Sequence, residues 1–283
     1  MSCRPAKTRR AAVGARTRRR RLVLNISLPS ADAHTQPRQV LDHYIEANRG
    51  DAGQRSGLSS RLPPCVYSPC ADPFFCSLWP SSIALAENLL KQPKLAVGRR
   101  VIDVGCGLGL GGVAAALAGA CAVVLADREV LALRCALLTS QANGLAPLPL
   151  ELGVNGGAGG QQVVRSVLEP ASGAAGSGTI GALELDWHAP PAELRGCFDL
   201  MTACDVLYEK TAAAPVSALA LHLLAPGGTL LLADPPLRTP GNREQFLAAL
   251  EGKFEAVRTE EQRIFDADGK PVDVRICAFT GKR

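Results

Sequence analysis

No apolar run in this 283-residue chain approaches the roughly 18 residues that a membrane-crossing helix needs, so a soluble protein with no membrane partner is expected. Cysteine is present ten times but never as a C-x-x-C pair, and none of His34, His43, His188 or His222 is near the loose group Cys65, Cys70 and Cys76. That spacing offers no zinc set, so no metal is expected and the thiols read as reduced and mostly buried. Tryptophan is scarce, with Trp79 and Trp187 alone. Asp and Glu are missing altogether from residues 1–31, which hold nine Lys or Arg.

The last absence redistributes the net charge of +5. Without that tail, 22 basic side chains face 26 acidic ones. A slightly acidic body argues against a specific nucleic-acid partner. An arginine-rich, acid-free N-terminus interspersed with Ala, Ser and Thr has the composition of an organellar transit peptide, for mitochondrion or chloroplast. A nuclear signal in Arg16–Arg21 and a solvated tail of a cytoplasmic protein are the alternatives. Length and 47% hydrophobic content fit one domain with appendages. The expected division is a disordered extension over residues 1–38, a linker with a short helix over 39–62, and one folded domain over 63–283.

The folded part alternates strand and helix patterns. Ser81–Lys91 reads as a helix; Val101–Val104 as a strand, Gly109–Ala118 as a helix, Ala122–Ala126 as a strand and Glu129–Gln141 as a helix. Residues 151–178, rich in Gly, Ala, Ser and Gln, read as an inserted loop in which Gln161–Leu168 can form a short strand. The pattern resumes with strands Ile180–Leu185 and Phe198–Ala203, helix Ala213–Leu224, strand Thr229–Ala233 and helix Asn242–Leu250. Two closing strands, Phe254–Thr259 and Val272–Thr280, flank the turn Asp266-Ala267-Asp268-Gly269. Strands alternating with helices imply a mostly parallel sheet, to which the hairpin adds an antiparallel strand.

Val101 to Gly109 carries the most chemistry. A buried strand breaks into glycines and opens a helix, the arrangement that lets bare backbone approach a nucleotide-like ligand. Asp103 at the strand end needs partners, either N–H groups of the turn or a ligand amine. Asp127, ending the second strand, can accept both hydroxyls of a ribose or cap the helix that follows. A dinucleotide frame on Gly107, Gly109 and Gly112 also fits the turn. A dinucleotide fold, however, needs a second βαβαβ half, and this chain closes in a hairpin soon after five strands.

Asp103-Val104-Gly105-Cys106-Gly107, Asp127, Pro226-Gly227-Gly228 before the fifth strand and the terminal hairpin together resemble the class I S-adenosylmethionine-dependent methyltransferases, over about residues 63–281. The resemblance implies an α/β, Rossmann-like, mostly parallel seven-stranded sheet with helices on both faces, and S-adenosylmethionine as cofactor. Within that class, Leu78-Trp79-Pro80-Ser81-Ser82, Asp186-Trp187 and Asp205-Val206-Leu207-Tyr208 resemble the protein-lysine branch called methyltransferase family 16. With Asp72-Pro73-Phe74-Phe75 and Ala233-Asp234-Pro235 they look most like the electron-transfer-flavoprotein β-subunit lysine methyltransferases.

On that resemblance Trp79, Asp103, Gly105, Cys106, Gly107, Asp127, Asp186, Trp187 and Cys204 contact the cofactor, Cys106 and Cys204 through backbone. Asp205 and Tyr208 are the catalytic pair: Asp205 holds a lysine ammonium and orients its lone pair after proton loss, while Tyr208 walls the channel. Their plainer readings are a cap and a packed aromatic. Asp234-Pro235-Pro236 resembles the D-P-P-Y motif of nucleic-acid amino methyltransferases but follows the wrong strand and lacks the aromatic, although Asp234 can still line the substrate side; Arg238 and Arg243 can contact an acidic partner, but exposed arginines usually have no specific role. The expected activity is methyl transfer to a lysine of a protein substrate by a monomer. A small-molecule acceptor and a non-catalytic binding protein of the same fold are the alternatives.

Overall fold

Alternation along the first strand sets the two faces of the sheet: Val101 and Asp103 point to one, Ile102 and Val104 to the other. The computed structural model describes residues 75, 78–148, 178–265 and 270–283. The expected extension (1–38), linker helix (39–62), insertion with its short strand Gln161–Leu168, and the turn at 266–269 lie outside the described residues.

In chain order the elements are α1 (Pro80–Lys91), β1 (Arg100–Val104), α2 (Leu110–Leu117), β2 (Ala122–Asp127), α3 (Val130–Ala142), β3 (Thr179–Glu184), β4 (Phe198–Cys204), α4 (Ala213–Leu223), β5 (Leu224–Asp234), α5 (Pro240–Leu250), β6 (Phe254–Phe265) and β7 (Pro271–Lys282). Seven strands form one sheet in the order β3-β2-β1-β4-β5-β7-β6. β1 to β5 pair in parallel, and β7 runs antiparallel between β5 and β6. The expected fold class is therefore the observed one.

Helices cover both faces, which is why β2 is buried at every position and β1 at all but its first. Leu85 and Leu89 of α1, Val113 of α2 and Leu133 of α3 pack on the face of Val123 and Leu125. Leu219 and Leu223 of α4 and Phe246 of α5 pack on the face of Ile102, Val124 and Met201. Phe246 meets Phe279 edge-on, with ring centroids 6.1 Å apart.

Two strands run longer than their hydrophobic pattern. β6 continues past Thr259 to Phe265 through mostly exposed and polar residues, with Ile264 buried, because it is an edge strand held by backbone pairing with β7. Its charges pair across the hairpin, Arg263 with Asp273 at 2.7 Å and Arg275 with Glu261 at 2.8 Å, and such charges discourage a further strand from adding there. β5 starts at Leu224 rather than Thr229: Leu224 pairs with Phe198 and Thr229 with Leu200, so Pro226-Gly227-Gly228 loops out of the ladder.

Chain connections leave β1 and β4 in opposite directions across the sheet, and a ligand crevice forms at the carboxyl ends of strands at such a point. The helix that opens there, α2, is apolar all round and made largely of small residues, so it lies close to its neighbours. Gly109, its N-cap, has φ +78°, and a Cβ there would stand 2.7 Å from Cβ of Ala136 on α3. Gly144 shares φ +78° with open space around it. Gly109→Ala is expected to lower stability by about 2–4 kcal/mol, from left-handed strain plus overpacking, against about 1 kcal/mol for Gly144→Ala. Urea unfolding of both variants measures the difference, and equal losses would show that the α2–α3 contact yields without cost.

Candidate active site

The glycine turn is held by one carboxylate, Asp127, and by backbone bonds from Cys106 N–H to the Ala126 carbonyl and from Gly109 N–H to the Cys106 carbonyl, while a second carboxylate, Asp103, holds the helix after it. Gly105, Gly107 and Gly109 have φ of +64°, +51° and +78°, values that other residues rarely adopt. Asp127 Oδ2 accepts the N–H of Gly107 at 2.9 Å, and its Oδ1 accepts the N–H of Glu129 at 3.0 Å. The second bond explains why α3 begins at Val130. This is a turn-forming bond just ahead of α3, whose N-cap is Glu129, and not the helix cap of the plainer reading; a carboxylate has about four acceptor sites, so capacity for a ribose diol is left. Asp103 accepts the N–H of Gly112 at 2.8 Å and the hydroxyl of Thr202 at 2.6 Å. It thus pins α2, one turn beyond the glycine turn itself, to the middle of the sheet.

Burial pushes the Asp103 carboxyl up to about 6, against the pull of Thr202 and Gly112, with the nearby Asp127 adding to the rise. Burial likewise raises Asp127, against its bonds from Glu129 and Gly107. Cys106 and Cys204 are lifted well above the usual thiol range, chiefly by burial. Both thiols therefore stay protonated and are poor nucleophiles.

The turn floors a cleft that is open to solvent at its mouth. Asp103, Gly105, Cys106, Gly107, Asp127, Trp187, Cys204, Asp205, Tyr208 and Trp79 all line it. Of the residues expected at the cofactor, Asp186 alone stays outside: its carboxylate turns back to the backbone N–H of His188 at 2.9 Å and its ring at 3.1 Å, in solvent. The neighbouring Trp187 does face the turn, since a Cβ on Gly105 would lie 3.3 Å from its ring and 3.0 Å from Val206.

Across the cleft, Asp205 ends β4 in the left-handed region, φ +53°, alone in this respect among the described non-glycine residues. Its N–H bonds the Ala233 carbonyl at 2.9 Å, tying this bend to β5. Oδ1 accepts from Arg238 at 2.9 Å, and Oδ2 is buried without a well-formed hydrogen bond. Burial raises this carboxyl, while the Ser81 hydroxyl and Arg238 pull it back. The Arg238 guanidinium also lies over the Trp79 ring, 4.4 Å from its centroid, a cation–π distance. At the opposite rim Arg128 reaches Glu209 at 3.5 Å. Burial works against the Arg128 charge, but Tyr208, Glu209 and Glu129 outweigh it.

Arg238, singled out in the sequence only as an exposed arginine able to contact an acidic partner, lines the cleft. Nothing in Pro235-Pro236-Leu237-Arg238 marks it, because its partners are a tryptophan before β1 and an aspartate after β4. Arg243 is also misread as exposed. It is buried and ion-paired with Asp234 below β5, with Cys277 alongside at 3.4 Å. Asp234 is thereby withdrawn from the cleft.

The glycine turn, β2 and α3 fall within residues 78–155, which match the family described as methyltransferase small domain. The likeness is to methyltransferases. Over 83 residues the chain is 42% identical to the electron transfer flavoprotein beta subunit lysine methyltransferase of Danio rerio, covering 29% of this chain and 32% of that one. The Xenopus laevis protein of the same name is 29% identical over 130 residues, covering 44% and 53%. The chain thus spans between about a third and a half of the length of these relatives.

Among solved structures, the Thermus thermophilus 16S rRNA N2 G1207 methyltransferase, in complex with AdoMet and guanosine, aligns with TM-score 0.46 and 22% identity, covering 73% of this chain and 44% of that one. The precorrin 8W decarboxylase of Methanobacterium thermoautotrophicum aligns with TM-score 0.46 and 17% identity, covering 72% and 93%.

The raised Asp103 carboxyl has a pH signature. In the fold it holds its proton up to about pH 6, whereas unfolded it releases it near pH 4, so its contribution to stability is full below pH 4 and lost as pH rises to 6. Asp103→Asn lacks this loss. Its stability relative to the parent is expected to rise by about 2–3 kcal/mol between pH 4 and 7, any constant cost of the substitution dropping out of the slope. Urea unfolding across that range measures it; parallel pH profiles would place the titration elsewhere.

Proposed function

We propose that this chain is an S-adenosylmethionine-dependent methyltransferase whose acceptor is a lysine side chain of a protein. Asp205 carries the reading. It is buried, turned into the left-handed region that aspartate and asparagine adopt more readily than other side chains, and one of its oxygens makes no well-formed hydrogen bond in the same cleft as the glycine turn. A carboxyl this deeply buried without two well-formed hydrogen-bonded oxygens is hard to explain by packing alone.

The residues present fit the cofactor. Gly105 leaves room where a Cβ would press on Trp187 and Val206, and Asp127 keeps acceptor capacity after its two backbone bonds. Gly105, Gly107 and the backbone of Cys106 would hold the methionine part, Asp127 the ribose, and Trp187 the adenine. When bound, S-adenosylmethionine supplies an electrophilic methyl on a sulfonium.

The chain's own residues manage the acceptor. Asp205 attracts the lysine ammonium and fixes the nitrogen at the mouth, so that after proton loss its lone pair has one direction. Tyr208 walls this approach, and Trp79, expected at the cofactor, is read instead on the acceptor side because its ring lies under Arg238. The relatives named for electron transfer flavoprotein methylation support a protein acceptor, and membership of methyltransferase family 16 belongs to the same proposal. So does an organellar location, supported by the arginine-rich first 31 residues.

Purified protein incubated with tritiated S-adenosylmethionine and an organellar extract is expected to label lysine in one or a few protein bands, read by mass spectrometry. Label on nucleic acid or small metabolites instead would overturn the acceptor. Asp205→Asn, which tolerates the left-handed backbone, should cut labelling about a hundredfold or more while calorimetric binding of S-adenosylmethionine changes little. Unchanged turnover would remove Asp205 from the site.

A further inference from the structure

The Arg238 guanidinium rests between a carboxylate and the face of an indole, 2.9 Å from Asp205 and 4.4 Å from the Trp79 ring centroid. A carboxylate next to an aromatic face is also what a primary ammonium seeks. Arg238 uses this seat incompletely. Elsewhere in the chain Arg100 grips Asp199 through both oxygens, at 2.7 and 3.0 Å, whereas Arg238 takes a single oxygen of Asp205 and leaves Oδ2 buried without a well-formed hydrogen bond, with the Ser81 hydroxyl near the carboxyl.

The two sides of the pair also differ in how firmly they are held. The Asp205 side chain is 7% exposed and its N–H is tied to Ala233, while Trp79 is fixed at the start of α1 through the Ser82 hydroxyl bonded to its carbonyl. Arg238 is 33% exposed and projects from the short connection between β5 and α5. It can leave on a long flexible side chain without unmaking either partner's support.

We propose that Asp205 and Trp79 form the seat for the acceptor's cationic amine, and that in the resting protein the chain's own Arg238 occupies it and must be displaced. The proposal rests on the reading of the acceptor as a lysine amine. Arg238 is then a positioning residue. It keeps the Asp205 charge compensated while the cleft is empty, and it admits only an ammonium that wins the carboxylate.

The test uses n-butylammonium chloride as probe, with binding read by saturation-transfer NMR or calorimetry on the full chain. Removing a competitor that fills the seat raises apparent affinity by the inverse of the fraction of time the seat is free. Arg238→Gln is expected to bind the probe about tenfold or more tightly than the unaltered protein, and Asp205→Asn added to it is expected to abolish the gain. Equal affinity in Arg238→Gln and the parent, or a gain that survives Asp205→Asn, would overturn the proposal.

Arg238→Ala provides a second route to the empty seat. Loss of the folded near-ultraviolet signal in both Arg238 variants would make Arg238 a structural staple and equally overturn it. The measurement involves no methyl transfer, so its failure is separate from that of the proposed reaction. A gained seat without lysine labelling would leave the seat standing and the acceptor reading defeated.

Discussion

Two buried carboxylates at the carboxyl ends of adjacent parallel strands hold the cleft in shape. Asp127 ties the glycine turn and the start of α3 to β2, and Asp103 ties α2 to β1 and, through Thr202, to β4. Each is withdrawn from water, which costs several kcal/mol for an unpaired ion. Each recovers part of that through backbone N–H groups at helix starts, where the donors have no partner within the helix. The turn that Asp127 supports consists of glycines in left-handed conformations, so the support and the small residues are one device. Asp127 adds to the backbone bonds that tie the turn to β2, and the glycines let the backbone reach it.

The other wall is made by a different balance. Asp205 is buried and half-satisfied, compensated by an arginine from a connection more than thirty residues further along the chain. The deeper Asp234–Arg243 pair shows the contrast. Both of its side chains are enclosed below β5, where an ion pair serves packing and register. The pair at the cleft is exposed on the arginine side alone, so its charge compensation is removable. Burial depth separates a structural ion pair from one that can exchange partners with a ligand.

Much of the fold was legible from local pattern. β1, β2 and β4 read correctly because strands buried on both faces are continuous apolar runs, and α1 because its apolar residues recur at helical spacing. The second half of β6 was not legible: an edge strand facing solvent keeps its place through backbone bonds, and its side chains carry no alternation. The loop-out of Pro226-Gly227-Gly228 inside β5 was hidden too, since proline and glycine there read as a strand boundary. Asp186 misled in another way. It adjoins Trp187, which does face the cleft, but Asp186 opens a tight turn, its carbonyl accepting the N–H of Ala189 and its carboxylate that of His188.

By itself the sequence determined the alternating architecture, the glycine turn and the acidic residues that end its strands, because these depend on spacing within a few residues. Tertiary structure alone decided that Arg238 lies on Trp79 and pairs with Asp205, that Arg243 is buried, and that Asp186 looks away. Those facts depend on three connections converging at one end of the sheet. Convergence of that kind is set by strand order and packing, and it leaves no periodic trace along the chain.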